Sequence, residues 1–199
     1  MKTIAESHLK QNFENAIISV PSSYGMIERN LVYEAGKLAG LNIKRIMNET
    51  SAAILTYYTN NYDIFKKMTN GENILIFDFG GGKLDVGIYN VNDIVIETKI
   101  IISESIGGIN FDNKLARYCI KKFCKINDLE DSKIHEIYEN PRILRRLLLE
   151  CEIAKINLSS TIKTSIIVES LYDNIDFNII VTREEFENIC SDEFHMGRE

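Results

Sequence analysis

The stretch from Phe77 to Asp85 has the composition best suited to chemistry, since it combines three consecutive glycines with two aspartates. Glycines 80 to 82 allow a backbone to approach a ligand without Cβ interference, and their N–H groups can point together at phosphate oxygens. Asp78 and Asp85 lie on either side of the glycines, so on the strands of a hairpin they can face a common point. Waters on Mg²⁺ would find anionic acceptors there. The pattern fits a phosphate and magnesium site, and it also fits a glycine-rich hairpin with two solvated aspartates.

Two familiar phosphate-binding motifs do not fit this stretch. Lys83 follows a glycine, but neither Ser nor Thr comes next, and the following residues predict a strand rather than a helix. A Walker-type loop and a dinucleotide fingerprint both require a helix at that point.

A second candidate anion site lies at Gly107 and Gly108, directly before a predicted helix. A helix N-terminus offers unpaired N–H groups and the positive end of the helix dipole. A glycine pair before a helix is also common in ordinary loops.

A third candidate consists of Glu152, Lys155 and Ser159, whose spacings of three and four place them on one side of a helix. Such a polar stripe is usually a solvated face. It could instead supply hydrogen bonds to a ribose or a base.

Composition excludes several classes of function. The 199-residue chain is 45% hydrophobic and 26% charged, with a formal net charge of -6, which is typical of a soluble globular protein and unfavourable for binding nucleic acid. No apolar run is long enough to span a membrane, and the first 11 residues contain no export signal. Four scattered cysteines favour reduced thiols over zinc ligation or disulfides. We therefore expect a cytoplasmic protein.

The first part of the chain predicts a β-α-β-α order and an α/β fold. Strands are expected at Ala16 to Val20 and Ile43 to Met47. A helix capped by Ser22 or Ser23 should end near Gly40, and Thr50 should cap a second helix. The polar stretch from Asn60 to Glu72 is interpreted as a linker between two lobes.

The second part predicts three strands, Ile74 to Phe77, Leu84 to Tyr89 and Val95 to Ile102. A helix with one apolar face should follow Gly108, and a longer one should run from Arg142 to Leu158 with Pro141 in its first turn. The end predicts two strands, Ser165 to Val168 and Phe177 to Val181, which turn at Asp173-Asn174. Thr182 to Glu185 then forms a capping box for a last helix that stops soon after Cys190.

The order of several short motifs resembles that of heat-shock-protein-70 ATPase lobes over nearly the whole chain. The motifs are Val20-Pro21, Asn48-Glu49-Thr50-Ser51-Ala52-Ala53, Ile76 to Gly82, Phe111-Asp112-Asn113, Leu144-Arg145-Arg146, Cys151-Glu152-Ile153-Ala154-Lys155 and Leu158-Ser159-Ser160.

The resemblance implies a partial actin-like ATPase fold with a ribonuclease H-like motif, in which two α/β lobes close on Mg²⁺-ATP and a β-hairpin forms a phosphate loop. Residues 1–70 would be part of the first lobe, and residues 71–106 part of the sheet of the second. Residues 107–199 would form the upper subdomain of the second lobe, with the family's domain incomplete at both ends.

The resemblance also implies roles for individual residues. The expected catalytic acids around the magnesium and the attacking water are Glu49, Asp78 and Asp85, of which Asp78 and Asp85 would act on the metal through water. The expected phosphate contacts are Gly80, Gly81, Gly82 and Lys83, with Gly107 and Gly108 in a second loop. The expected adenosine contacts are Glu152, Lys155 and Ser159, and Pro21 and Arg29 match positions that relay the nucleotide state.

The chain departs from the family pattern at several of these positions. Lys83 replaces a threonine that touches phosphate, and Ile156 replaces an arginine that stacks on adenine. Ile109-Asn110 replaces two acids, Ser23 an aromatic residue, and Thr50-Ser51 a Pro-Thr. The family's opening phosphate loop, with its essential lysine, and its closing adenosine loop have no counterpart. We therefore expect this chain alone to be inactive as an ATPase.

The resulting expectation is a divergent part of a heat-shock chaperone ATPase domain with ATP and Mg²⁺ as ligands. Its parent would use hydrolysis to control the binding of unfolded polypeptides through another domain, together with nucleotide-exchange and J-domain co-chaperones. One alternative is a noncatalytic module that binds co-chaperones without ATP. Another is a sugar kinase of the actin-like superfamily, which the Asn48-Glu49 segment and the segment from Leu144 to Ser160 disfavour.

Overall fold

A computed structural model of the chain describes residues 2–66, 71–92 and 95–196. The chain divides into two compact units. Unit 1 comprises Met1–Phe79 and Lys83–Ser105, and unit 2 comprises Gly80–Gly82 and Ile106–Glu199.

After a first helix, unit 1 has the predicted β-α-β-α order. Strands β1 and β2 pair in parallel, with Val20 opposite Asn48, which requires the intervening helix as a crossover. The elements are α1 (Lys2–Leu9), β1 (Asn15–Val20), α2 (Met26–Leu38), β2 (Asn42–Asn48), α3 (Glu49–Asn60) and α4 (Tyr62–Phe65). The mixed α/β class predicted from the sequence is confirmed.

Both predicted helix caps in this part are wrong. Helix α2 is preceded by Gly25 rather than by Ser22 or Ser23, and α3 is preceded by Asn48, so Thr50 lies inside the first turn of that helix. An N-cap residue must be extended directly before the first helical residue. Gly25 and Asn48 have that backbone conformation, with ψ of -170° and 147°.

The predicted polar linker from Asn60 to Glu72 is in part a helix. Helix α4 places Phe65 in the interior, where only 1% of its surface is exposed and its ring lies 5.3 Å from that of Tyr58. Residues 67–70 of this stretch lie outside the described residues.

The three predicted strands form one antiparallel sheet in the order β3-β4-β5, with β3 (Glu72–Phe79), β4 (Leu84–Val91) and β5 (Ile96–Glu104). Its inner face packs against α3 and α4, where Ile54 and Phe65 meet Tyr89 and Val91. The Tyr89 hydroxyl donates a 2.8 Å hydrogen bond to Thr50 Oγ1, so the start of α3 is fixed against this face.

Unit 2 has one large apolar core between two long helices and a β-hairpin. Its elements are α5 (Gly108–Ile126), α6 (Ser132–Glu139), α7 (Pro141–Leu158), β6 (Lys163–Tyr172), β7 (Ile175–Thr182), α8 (Arg183–Ile189) and α9 (Ser191–Met196). The predicted apolar face of α5 is fully buried, at Phe111, Leu115, Cys119 and Phe123.

The predicted local signals of unit 2 are also confirmed. Asp173 and Asn174 form the hairpin turn with φ of 49° and 60°. Thr182 Oγ1 accepts from Glu185 N, and Glu185 Oε2 accepts from Thr182 N, as the capping box requires. Helix α6 was not predicted, because the sequence between the two long helices is mostly polar.

Candidate functional site

Asp78 and Asp85 lie opposite each other at the polar end of the inner face of the unit 1 sheet. They are direct partners in the β3–β4 register, and Ser103 of β5 is the partner of Asp85 on its other side. Direct antiparallel partners project to the same face. The prediction that the two aspartates can face a common point is therefore confirmed.

Asp85 is the most buried acid of this group, with 2% of its surface exposed. Its Oδ2 accepts a 2.9 Å hydrogen bond from the Ser22 backbone N–H, whereas its Oδ1 is buried and has no partner among the described residues. A buried carboxylate oxygen without a partner is costly. Water on a bound cation would satisfy it.

Glu49 is the first residue of α3 and is electrostatically coupled to the two aspartates. Burial raises the pKa of the Glu49 carboxyl, repulsion by Asp78 and Asp85 raises it further, and the Lys83 ammonium lowers it. We call Glu49, Asp78 and Asp85 the carboxylate cluster.

The carboxylate cluster is suited to a hydrated ion. No group of three or more His, Cys, Asp or Glu side chains within residues 2–66, 71–92 and 95–196 is arranged to hold a metal ion directly. Mg²⁺ usually keeps several waters and uses few carboxylates, so acids that accept from those waters are compatible with it.

Lys83 was predicted to contact phosphate, and its ammonium has a partner inside unit 1. Lys83 Nζ lies 2.5 Å from Ser23 Oγ and 5.8 Å from the centre of the Tyr24 ring. Residues 22 to 24, directly after β1, therefore contact both Asp85 and Lys83.

The two predicted relay residues lie in and after the same turn. The Pro21 carbonyl accepts from Tyr24 N at 3.1 Å, and Arg29 Nε donates to the Tyr24 carbonyl at 2.8 Å. Arg29 also donates to the Asn48 side chain, directly before Glu49. Arg29 thus links this turn to the start of α3, and its relay role stays a prediction.

In unit 2 the glycine turn lies against the start of α5. The Gly108 and Ile109 amides donate to the Gly80 and Gly81 carbonyls at 3.1 and 2.8 Å, and the Gly107 amide donates to Asn110 Oδ1 at 2.9 Å. The expectation of unpaired N–H groups at Gly107 and Gly108 is therefore wrong for this structure, because the Asn110 side chain and the Gly80 carbonyl accept from them.

Gly107 has no space for a Cβ, whereas Gly81 and Gly82 do. A Cβ on Gly107 would lie 2.5 Å from Gly82 N and 2.6 Å from Gly81 C, so the close approach of the turn requires glycine there. Among the described residues, a Cβ on Gly81 or Gly82 would have no neighbour within 4 Å. Packing does not explain these two glycines, whereas a ligand against the backbone would.

Lys155 forms an ion pair that was not predicted from the sequence. Its Nζ lies 2.8 Å from Asp112 Oδ2 and 3.1 Å from the Gly108 carbonyl oxygen. Burial raises the pKa of the Asp112 carboxyl, and the hydrogen bond and charge of Lys155 oppose that rise. Only the resemblance singled out Asp112, within Phe111-Asp112-Asn113.

Glu152 and Ser159 remain on the exposed side of α7, together with Ile156. Ser159 directly follows the helix as its C-terminal cap. A base or ribose could reach all three side chains, and the adenosine contacts stay predictions.

The four cysteines are all buried free thiols, in agreement with the expectation of reduced cysteines. Burial raises the pKa of Cys190 to about 12, which suppresses thiolate formation and reactivity. Across the described parts of the chain, no helix combines the length and apolar character needed to cross a bilayer.

Comparison with known proteins supplies the family. A family model described as Hsp70 protein matches residues 1–198. The chain is 37% identical to a heat shock 70 kDa protein of Trichophyton rubrum over 200 residues, which cover 100% of this chain and 29% of that protein. It is 39% identical to heat shock cognate 70 kDa protein 3 of Dictyostelium discoideum, and the match covers 98% of this chain and 30% of that protein.

A third relative is shorter. The putative heat shock 70 kDa protein 7 of Homo sapiens is 34% identical, and the match covers 100% of this chain and 52% of that protein. The chain thus spans between about three tenths and one half of the length of these relatives.

Proposed function

The chain belongs to the Hsp70 family, and on that premise we propose that it forms part of an actin-like ATPase domain that binds Mg²⁺-ATP. In the parent protein, hydrolysis would control the binding of unfolded polypeptides by another domain, in the cytoplasm and together with nucleotide-exchange and J-domain co-chaperones. The observation that carries the proposal is the buried Oδ1 of Asp85, which has no partner among the described residues and lies beside Asp78.

The carboxylate cluster gives the proposed site its metal chemistry. Bound magnesium would neutralise charge on the transferring phosphate. Asp78 and Asp85 would orient the ion by accepting hydrogen bonds from its waters, and Ser22 N–H holds Asp85 in place. Glu49, whose pKa is raised, is suited to accepting a hydrogen bond from an attacking water.

The unit 2 groups supply the proposed nucleotide contacts. Gly81 and Gly82 leave open space where a Cβ would stand, which favours a phosphate against the backbone. The exposed stripe of Glu152, Lys155 and Ser159 would meet the adenosine. On binding the adenosine, the Lys155 ammonium would have to donate hydrogen bonds to the ligand and to Asp112 at the same time.

One set of observations favours the noncatalytic alternative. Three groups that were expected to meet ATP have partners in the chain itself: Lys83 bonds to Ser23, Lys155 to Asp112, and the Gly108 amide to Gly80. A chain with these contacts could keep the family's surface for co-chaperones and bind them without nucleotide.

Calorimetric titration of the purified, folded chain with Mg²⁺-ATP separates the two functions. We expect saturable binding that Gly81→Val abolishes while the circular dichroism spectrum and the thermal midpoint are preserved. A folded wild-type chain that binds no ATP but does bind a purified nucleotide-exchange factor would overturn the proposal in favour of the interaction module.

A further inference from the structure

The Lys83 side chain is fixed by two consecutive residues of the turn after β1. Its ammonium bonds to Ser23 Oγ at 2.5 Å and lies 5.8 Å from the centre of the Tyr24 ring. Cation–π attraction and a hydrogen bond together restrict a side chain that is otherwise flexible. Lys83 is therefore held near one position.

That position lies beside the carboxylate cluster. The preceding residue of the same turn, Ser22, donates its N–H to Asp85 at 2.9 Å, so neighbouring residues contact the cluster and the lysine. The Lys83 charge also reaches Glu49, whose carboxyl it helps to keep ionised. One positive charge is thus fixed close enough to the carboxylate cluster to act on Glu49.

We propose that Lys83 is a built-in counter-cation of the carboxylate cluster, which repels a divalent ion from the cluster and so sets its affinity for Mg²⁺. This inference rests on the proposed function, because it concerns the magnesium part of the same site. The Lys83 ammonium is part of the chain, so it remains in place when solvent cations dissociate. It offsets part of the mutual repulsion of the carboxylates, and the free energy gained on binding Mg²⁺ is smaller by that amount.

The size of the effect follows from Coulomb's law. For a separation of about 6 Å, taken as illustrative, a single positive charge disfavours a divalent ion in water by about 1.4 kcal/mol, which is about tenfold in affinity. Salt weakens the effect, because the Debye length is about 8 Å at physiological ionic strength.

The test is a calorimetric titration of the nucleotide-free full chain with MgCl₂ at low ionic strength. Lys83→Met removes the charge and keeps most of the side-chain length, and we expect it to tighten Mg²⁺ binding about tenfold. Lys83→Arg keeps the charge and should bind Mg²⁺ as the wild type does. Ser23→Ala releases the lysine and should give a smaller gain.

Lys44→Met is the matched control for net charge. Lys44 is exposed on β2, five residues before Glu49, which corresponds to about 16 Å along an extended strand. We expect Lys44→Met to bind Mg²⁺ with the same affinity as the wild type. Thermal midpoints confirm folding of each variant, and Lys83→Gln replaces Lys83→Met if the latter does not fold.

The outcomes separate this inference from the proposed function. Equal Mg²⁺ affinity of the wild type and Lys83→Met overturns the inference alone, as does equal tightening by Lys83→Arg. Absence of Mg²⁺ binding from every folded variant overturns the inference and the magnesium part of the proposed function together. The inference is supported if Lys83→Met or Lys83→Gln binds Mg²⁺ more tightly, Ser23→Ala gives a smaller gain in affinity, and Lys83→Arg gives none.

Discussion

Asp78 and Asp85 face each other as direct partners across β3 and β4, and Asp85 is almost completely buried. Like charges directly opposite on a sheet are destabilising, and burial increases the cost. The Ser22 amide donates to Asp85 and offsets part of this cost, and the Lys83 ammonium acts on Glu49 of the same cluster. The stability of this end of the sheet should therefore depend on cations.

Glu49→Gln tests the electrostatic cost of the carboxylate cluster. The folded-state pKa of Glu49 is raised above 4.5, mainly by burial, so its contribution to stability is full below pH 4.5 and is lost as the pH rises through the raised value. We expect the variant to raise the thermal midpoint at pH 7.5 by about 1–2 °C, a small value because Glu49 is only partly buried and solvent screens the repulsion.

The gain should disappear near pH 4, where wild-type Glu49 is protonated. Glu14→Gln, at an exposed position of the same unit, is the control and should leave the midpoint unchanged at both pH values. A lower midpoint for Glu49→Gln at pH 7.5 would contradict the assigned repulsion.

The strands and long helices were predictable because local signals determine them. Asp173-Asn174 tolerates the left-handed conformation of a hairpin turn, and Pro141 needs no N–H donor at the start of α7. The juxtaposition of Asp78 and Asp85 was also predictable, since a short hairpin fixes the register.

The partners of the charged side chains were not predictable. Lys155 meets Asp112 across 43 residues, and Lys83 meets Ser23 across 60, so packing decides these pairs. The same holds for Thr50, which has the side chain of a cap but lies within α3, where its hydroxyl accepts from Tyr89. The occupied amides at the start of α5 likewise depend on where the distant glycine turn packs.

Gly107→Ala should reduce stability, whereas Gly81→Ala should leave it nearly unchanged. A Cβ on Gly107 would lie within 2.7 Å of three backbone atoms of the glycine turn, so we expect a loss of about 1–3 kcal/mol in the free energy of unfolding. A Cβ on Gly81 would occupy open space, so Gly81→Ala should lose close to nothing in the free energy of unfolding. Chemical denaturation followed by circular dichroism measures both.

Mg²⁺-ATP adds a second measurement to this pair. If phosphate binds against the glycine turn, Gly81→Ala should weaken the ATP-induced thermal shift although the variant is as stable as the wild type. A full shift in Gly81→Ala would move the phosphate away from this turn.

Lys155→Met should destabilise unit 2 because it leaves the buried Asp112 carboxylate without its cation. Removing one partner of a buried pair costs about 3–5 kcal/mol, and the partial exposure of Lys155 reduces our expectation to about 1–3 kcal/mol. Urea denaturation gives the value.

A double-mutant cycle identifies the cause of that loss. Adding Asp112→Asn to Lys155→Met removes the uncompensated charge, so the double variant should recover part of the lost stability. Additive losses would mean that the two residues act independently, contrary to their 2.8 Å contact.

Ile156→Arg tests whether a base binds on the exposed side of α7. Ile156 is 60% exposed and lies one turn after Glu152, so an arginine fits there without repacking and could stack on a base. We expect ATP affinity to rise about two- to fivefold, as an exposed cation–π contact allows.

Ile126→Arg is the matched control, because Ile126 is similarly exposed, at 61%, but is the last residue of α5 and so lies on a different helix from the stripe of Glu152, Ile156 and Ser159. It adds the same charge and should leave the ATP affinity unchanged. Equal gains from both arginines would reflect general attraction of the triphosphate. No gain from Ile156→Arg, in a chain that binds ATP, would mean that the base lies elsewhere.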